Sequence, residues 1–231
     1  MIQKFQIAID GPVASGKSTV AKLLADKLGF LYIDTGAMYR GLAYKAKDKK
    51  IDWSNEIAIT SLVKDFNINL KKPSGDKKDG RTVTVLLNNK DVSWDIRTQE
   101  IAEGASVVSQ YKKVRQVLVK KQQQLAAGQN VVMEGRDIGT VVLPKANLKI
   151  FMTADVDKRI RWKQAQMKAH GHDIALSEVK SALLKRDKRE MNRKVDPLRP
   201  ATNAWMLDTS HLTIDQIVDN IIAKVKRSKT Q

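Results

Sequence analysis

The chain has no cysteine. That excludes a disulfide framework and thiolate metal sites, and it fits a reducing compartment. No run of about 18 apolar residues is free of charge, which excludes a membrane-spanning helix. The opening residues, MIQKFQIAID, carry no basic stretch ahead of a long apolar core and do not read as a secretory leader. A soluble, cytoplasmic protein is expected. Acidic residues are in deficit: 25 Asp and Glu stand against 42 Lys and Arg, a formal net charge of +17. Such an excess attracts polyanions, whether nucleic acid, acidic membrane or phosphorylated small molecules. Much of it lies in lysine clusters, Lys45, Lys47, Lys49 and Lys50 in one and Lys71, Lys72, Lys77 and Lys78 in another. Both clusters read as solvated surface. Histidine is scarce too. His170 and His172 flank a glycine with no third ligand nearby, a polar loop rather than a metal site.

What is present suffices for one sizeable core, since 42% of 231 residues are hydrophobic. Apolar runs at Phe5–Ile9, Phe30–Ile33, Val131–Met133, Leu148–Met152 and Ala204–Leu207 read as buried strands. Helical stretches separate them, a pattern that predicts a parallel sheet covered on both faces. Val20, Leu23, Leu24 and Leu28 form one apolar helical stripe, and Thr213 with Gln216 forms a capping box before the last helix. Two segments break the alternation. Residues 67–96 contain a Pro-Ser-Gly turn and then "TVTVLLNNKDVSW", whose period of two predicts a small antiparallel insert. Residues 158–199 are rich in Arg and Lys with only a sparse apolar stripe, as in a mobile helical excursion. Trp53 and Trp94 read as packing or surface anchors.

Gly11-Pro12-Val13-Ala14-Ser15-Gly16-Lys17-Ser18, followed by Thr19, satisfies G-x-x-x-x-G-K-[ST] between a strand and a helix. Backbone N–H groups of such a loop encircle a β-phosphate, and the helix N-terminus adds positive potential. Lys17 then reaches the β- and γ-phosphates, and the Ser18 hydroxyl ligates Mg²⁺. The motif predicts a nucleoside triphosphate site. It leaves open a GTPase, a nucleic-acid motor and a small-molecule kinase. "NNKD" at 88–91 has the wrong order for a guanine-reading N-K-x-D.

A kinase needs a second anion site facing the first. "DTGAMYR", Asp34 to Arg40, follows the second strand, where ligands gather in open parallel sheets. Arg40 could fork two hydrogen bonds to a phosphate, or simply sit on an exposed helix. Arg136 and Asp137 follow Gly135 at the end of the third strand, in loop or site. Arg186, Arg189 and Arg193 fall at i, i+3 and i+7, one helical face, with Glu190 one turn from Arg186. That face suits a lid closing on a transferring phosphoryl group, or a solvated or RNA-binding helix.

Together these motifs resemble the bacterial cytidylate kinases, nucleoside monophosphate kinases that phosphorylate CMP and dCMP from ATP. The likeness spans about residues 5–225 and rests on "IAIDGPVASGKST", "DTGAMYRGLA", "DVSWDIRTQEI", "GRDIGTVVLP", "KIFMTA", "KRDKREMNR" and "LDTS". It implies an α/β P-loop fold, a five-stranded parallel sheet flanked by helices in a single domain over 1–231. Residues 67–96 would be the monophosphate-binding insert and 158–199 the helical lid. By the same resemblance, Thr35, Arg40 and Arg136 hold the acceptor phosphate beside Tyr39. Ser106, Arg115 and Asp137 read cytosine, a pairing sound in donors and acceptors. Arg186 and Glu190 reach the sugar, while Arg189 and Arg193 close on phosphates. The implied partners are ATP with Mg²⁺ and CMP or dCMP, for a monomer that needs no stable nucleic acid or membrane partner. Two departures stand out: Glu190 replaces the family's usual aspartate, and Glu134 replaces the first Asp of a common "DGRD". Other acceptors (UMP, AMP, shikimate) and an RNA-associated NTPase are the competing readings.

Overall fold

The structure is a computed structural model and describes residues 4–169, 171 and 173–229. His170 and His172 lie outside the described residues. In chain order the elements are β1 (Gln6–Asp10), α1 (Lys17–Leu28), β2 (Leu31–Asp34), α2 (Thr35–Asp48), α3 (Glu56–Lys64), β3 (Ile68–Lys71), β4 (Thr84–Leu87) and β5 (Lys90–Asp91). There follow α4 (Gln99–Val108), α5 (Lys112–Ala126), β6 (Val131–Gly135), β7 (Leu148–Thr153), α6 (Val156–Ala169), α7 (Leu176–Asn192), β8 (Trp205–Asp208) and α8 (Ile214–Lys229).

The five apolar runs pair as one all-parallel sheet in the order β2-β6-β1-β7-β8. Ile7, Ala8 and Ile9 of central β1 are wholly buried, as a strand covered on both faces demands. On one face Val20 and Leu24 of α1 meet Ile217, Val218 and Ile221 of α8 over the sheet. The Thr213 and Gln216 side chains each accept the other's backbone N–H, closing the expected capping box ahead of α8. On the other side α2, α4 and α5 form a second apolar cluster around Met38, Leu42, Ile101 and Leu118.

The insert is antiparallel, β3-β4-β5. Asn88 and Asn89, at φ 48° and 66°, make its two-residue turn, a conformation asparagine tolerates well. The "NNKD" stretch is therefore hairpin and nothing more. The basic 158–199 segment forms the antiparallel pair α6 and α7. Its sparse stripe, Ile160, Met167, Val179 and Leu183, closes on Val13 and Ala14 of the phosphate loop rather than on the sheet.

One lysine departs from the solvated reading. Lys45 is buried, donates to the Asp65 carbonyl at 3.0 Å and lies 5.8 Å from the Phe66 ring. Its long stem covers apolar surface while the ammonium finds a carbonyl. The tryptophans do anchor. Trp53 donates to the Ala43 carbonyl at 3.0 Å, and its ring presses on Gly104 of α4. A Cβ at Gly104 would lie 2.4 Å from that ring, so Gly104→Ala should cost about 1–3 kcal/mol by overpacking. A denaturant melt that matches the unmodified chain would contradict this.

Candidate active site

The loop after β1 has the conformation a phosphate cradle requires. Gly11 and Gly16 have φ of 149° and 83°, and Ala14 adopts φ 59° despite its side chain. A Cβ on Gly11 would stand 2.1 Å from the Met152 carbonyl oxygen, so only glycine fits. Gly16 caps α1 without a side chain, which leaves the N–H groups of the first turn directed into the loop. Lys17 is folded over its own loop, donating to the Pro12 carbonyl at 2.5 Å and to Ser15 Oγ at 3.2 Å. Burial first, and Arg136 second, pull its ammonium down to about 7. A neighbouring polyphosphate would reverse that shift by restoring opposite charge.

Beside the loop opens a cavity of about 350 Å³. Val13 to Thr19 form one wall. Thr35, Tyr39, Arg40, Ser106, Arg115, Arg136, Asp137, Arg186, Glu190 and Arg193 all face it. The strand order explains this gathering. β1, β6 and β2 are neighbours, so the loop, the 135–137 turn and the start of α2 leave the same sheet edge together.

Carboxylates hold the cations in place. Asp34 caps α2 by accepting from Ala37 N at 2.9 Å, and its other oxygen takes Arg40 at 2.7 Å. Burial would raise Asp34, but Arg40 and then Arg97 outweigh it and keep the carboxyl below its usual range. Glu190 bridges two arginines, Arg136 at 2.5 Å and Arg186 at 2.8 Å. Its burial opposes ionisation, yet the two guanidiniums hold it far below the ordinary glutamate value. Arg115 is buried, pairs with Asp137, donates to Asp196 at 2.7 Å and to the Ser109 carbonyl at 3.3 Å, and lies over the Tyr39 ring.

Several polar atoms on these walls have no protein partner. The Tyr39 and Ser106 hydroxyls and the Nε atoms of Arg40 and Arg97 are all buried and unpaired within the chain. Buried polar groups are rarely left so, except where a ligand completes them. Thr35 differs, since its hydroxyl already donates to the Glu134 carbonyl at 2.7 Å.

Two placements differ from the single arginine face expected of the lid. α7 ends at Asn192, and Arg193 is extended, with its Nε on the Asp196 carbonyl at 2.6 Å and a terminal nitrogen 3.4 Å from Asp137. Arg189 does not line the cavity; it pairs with Glu103 of α4 at 2.5 Å. The three arginines therefore reach three different carboxylates.

Three residues or sets escaped the motif reading. Arg97 lines the cavity near Arg40 and Asp34, held by Thr82 at 2.8 Å. It lies inside the quoted "DVSWDIRTQEI", directly before Thr98, which caps α4 by accepting from Ile101 N. Lys163 of α6 lines this cavity and a second one. That second cavity, about 470 Å³, lies behind the loop between Ala14, Gly16, Trp162, Leu212 and Ile214. Only tertiary packing of α6 against the β8–α8 connection creates it, so no local pattern announces it.

A phosphate loop at the carboxyl end of a parallel sheet, walling a cavity lined by several arginines, defines a P-loop phosphotransferase. The family model for cytidylate kinase matches residues 7–227. A cytidylate kinase of Desulforamulus reducens is 44% identical over 223 residues, covering 96% of this chain and 97% of that protein. One of Bacillus cereus strain B4264 is 44% identical over 225 residues, 97% of each chain. Among solved structures, a shikimate kinase of Acinetobacter baumannii superposes with a TM-score of 0.49 at 12% identity, over 99% of this chain and 97% of its own. The chain belongs to the cytidylate kinase family, and it is a nucleoside monophosphate kinase.

The Glu190 bridge gives a testable electrostatic consequence. Its depressed carboxyl contributes stability that is full above the unfolded value, about 4.3, and is lost as pH falls below it. Glu190→Gln leaves two arginines without their counter-charge, an expected loss of about 3 kcal/mol near neutrality. The deficit should shrink on acidification, because Gln does not titrate. A constant gap between variant and parent from pH 7 to pH 3 would refute the assignment.

Proposed function

We propose that the chain transfers the γ-phosphoryl group of ATP to CMP or dCMP within the cavity that the phosphate loop shares with Thr35, Arg40, Arg136 and Asp137. The observation that carries this reading is the set of buried, unpaired polar atoms of Tyr39, Ser106, Arg40 and Arg97 lining the same cavity as Lys17. The triphosphate would lie along Gly11 to Thr19, with its base in the cavity between Trp162 and Leu212. Thr35, Arg40 and Arg136 would take the acceptor phosphate, joined by Arg97. Ser106, Arg115 and Asp137 would read cytosine, Asp137 accepting from the exocyclic amine and Arg115 donating to ring oxygen or nitrogen. Arg186 and Glu190 would reach the sugar, since each Glu190 oxygen keeps a further acceptor site beyond the arginine it holds.

The chemistry is in-line displacement. An acceptor phosphate oxygen, already anionic at neutral pH, attacks the γ-phosphorus; the bond to the β–γ bridging oxygen breaks and ADP leaves. No general base is required. Lys17, Arg136, Arg186 and Arg193 would position the groups and offset charge spreading over the transferring phosphoryl. Arg189 would join them if the lid closes and exchanges Glu103 for phosphate. The Ser18 hydroxyl faces the Glu134 carboxylate, a pair of hard oxygens suited to Mg²⁺ brought with the nucleotide. Bound there, the metal neutralises phosphate charge. On this reading the chain would act on soluble nucleotides as a cytoplasmic monomer without a nucleic acid partner. Among the described residues no helix is long and apolar enough to cross a membrane.

Coupled ADP-release assays with CMP, dCMP, UMP, AMP and shikimate test the reading. The cytidine nucleotides should stimulate turnover; no stimulation by CMP would end it. Lys17→Ala should lower kcat by at least about 100-fold. Asp137→Ala and Arg115→Ala should raise KM for CMP about tenfold or more with little change for ATP, since each removes a charged hydrogen bond to the base. Equal losses toward both substrates would put the base elsewhere.

A further inference from the structure

We propose that Asp10 is a positioning residue, which caps the turn at 138–142 in place of Asp137 and thereby keeps the Asp137 carboxylate turned toward the acceptor base. The inference rests on the reading of Asp137 given above.

The residues Ile138–Val142 form a short helical turn with Asp137 at its N-cap position. Aspartate at an N-cap ordinarily folds its own carboxylate back onto the exposed N–H groups that follow it. Asp137 does not: it makes no side-chain cap, and its carboxylate instead meets Arg115 and Arg193 across the cavity. The N–H groups it leaves are taken from another strand. Asp10, the last residue of β1, receives Ile138 N on Oδ1 and Gly139 N on Oδ2, both at 2.7 Å. The fit is close, since a Cβ on Gly139 would stand 3.4 Å from Asp10 Oδ2.

Asp10 sits opposite Gly135 in the β1–β6 register, two residues before Asp137. The substitute cap is thus fixed to the sheet itself. It is buried and none of its oxygens is needed for the transfer step. Without it, the turn's own aspartate is the nearest acceptor, and satisfying the turn would withdraw that carboxylate from the base. Burial raises the Asp10 carboxyl to about 7, against the pull of the two N–H groups it accepts.

The test uses full-length Asp10→Asn, Asp10→Ala, Asp137→Ala and the double variant Asp10→Asn/Asp137→Ala. KM and kcat are measured for CMP and ATP, with UMP and AMP as competing acceptors. Asp10→Asn keeps the shape but offers one acceptor where two N–H groups point. It should raise KM for CMP about tenfold, the scale of one lost cap, with KM for ATP within about twofold, and narrow the preference for CMP over UMP. The double variant should be no worse toward CMP than Asp137→Ala alone, because both act through one carboxylate. Equal rises in KM for CMP and ATP, additive losses, or wild-type kinetics would overturn the proposal. Failure of both Asp10 variants to fold would overturn it too, in favour of a purely structural role. If Asp137→Ala itself leaves KM for CMP unchanged, the reading of the base site falls first. If Asp137→Ala is impaired and Asp10→Asn is not, the role of Asp10 alone falls.

Discussion

The parallel pairing of β1 with β6, which sets Asp10 beside Gly135, is the constraint from which the rest of the site follows. One strand ends in the phosphate loop and the other in the Arg136–Asp137 turn. Their shared register fixes the two ends of the same cavity relative to each other as firmly as the sheet's own hydrogen bonds. β2 on the outer side of β6 adds the start of α2, and with it Thr35 and Arg40. Three loops from three adjacent strands thus need no linker geometry of their own to meet. Rigid backbone does the positioning, and the loops are left to carry the chemistry.

Around that frame the lid is attached in an unusual place. Its apolar stripe rests on Val13 and Ala14, inside the phosphate loop, rather than on the main core. The buried pair Arg159–Asp187 reinforces this, since Arg159 donates to the Val13 carbonyl at 3.0 Å while Asp187 accepts from Val13 N at 3.3 Å. Asp187 directly follows Arg186 and lies one turn before the last residues of α7. The helix that carries Arg186 and Arg189 is therefore built on the loop that carries Lys17.

Much of this was legible in the chain. Apolar runs located the five sheet strands to within two residues at each end, most firmly β1, which is buried on both faces, while the edge strands β2 and β8 are partly exposed. The phosphate loop was unmistakable, since glycine, lysine and serine at those spacings answer to a single backbone shape. Helical spacing alone could not tell that α7 stops at Asn192, so Arg193 was drawn onto a face it does not share with Arg186. Nor could it aim Arg189, whose direction is set by Glu103 on another helix. Lys45 reads as surface and Asp10 carries no signal of its own, because each acquires its partner only through the fold. The family resemblance supplied roles for Ser106 and Arg115 that local pattern did not.

The carboxylates that hold Arg40, Arg115, Arg136 and Arg186 have a consequence for what can enter. Asp34, Asp137 and Glu190 pair with those four arginines, while Lys17, Arg97 and Lys163 on the same lining leave it net positive. An anion that engages one of the four paired arginines must displace a carboxylate already in contact, so a simple monovalent ion gains little there. A nucleotide can offer more, a doubly charged phosphate at one end and a hydrogen-bonding ring edge at the other. Selectivity against the cell's abundant small anions would then begin at those paired arginines.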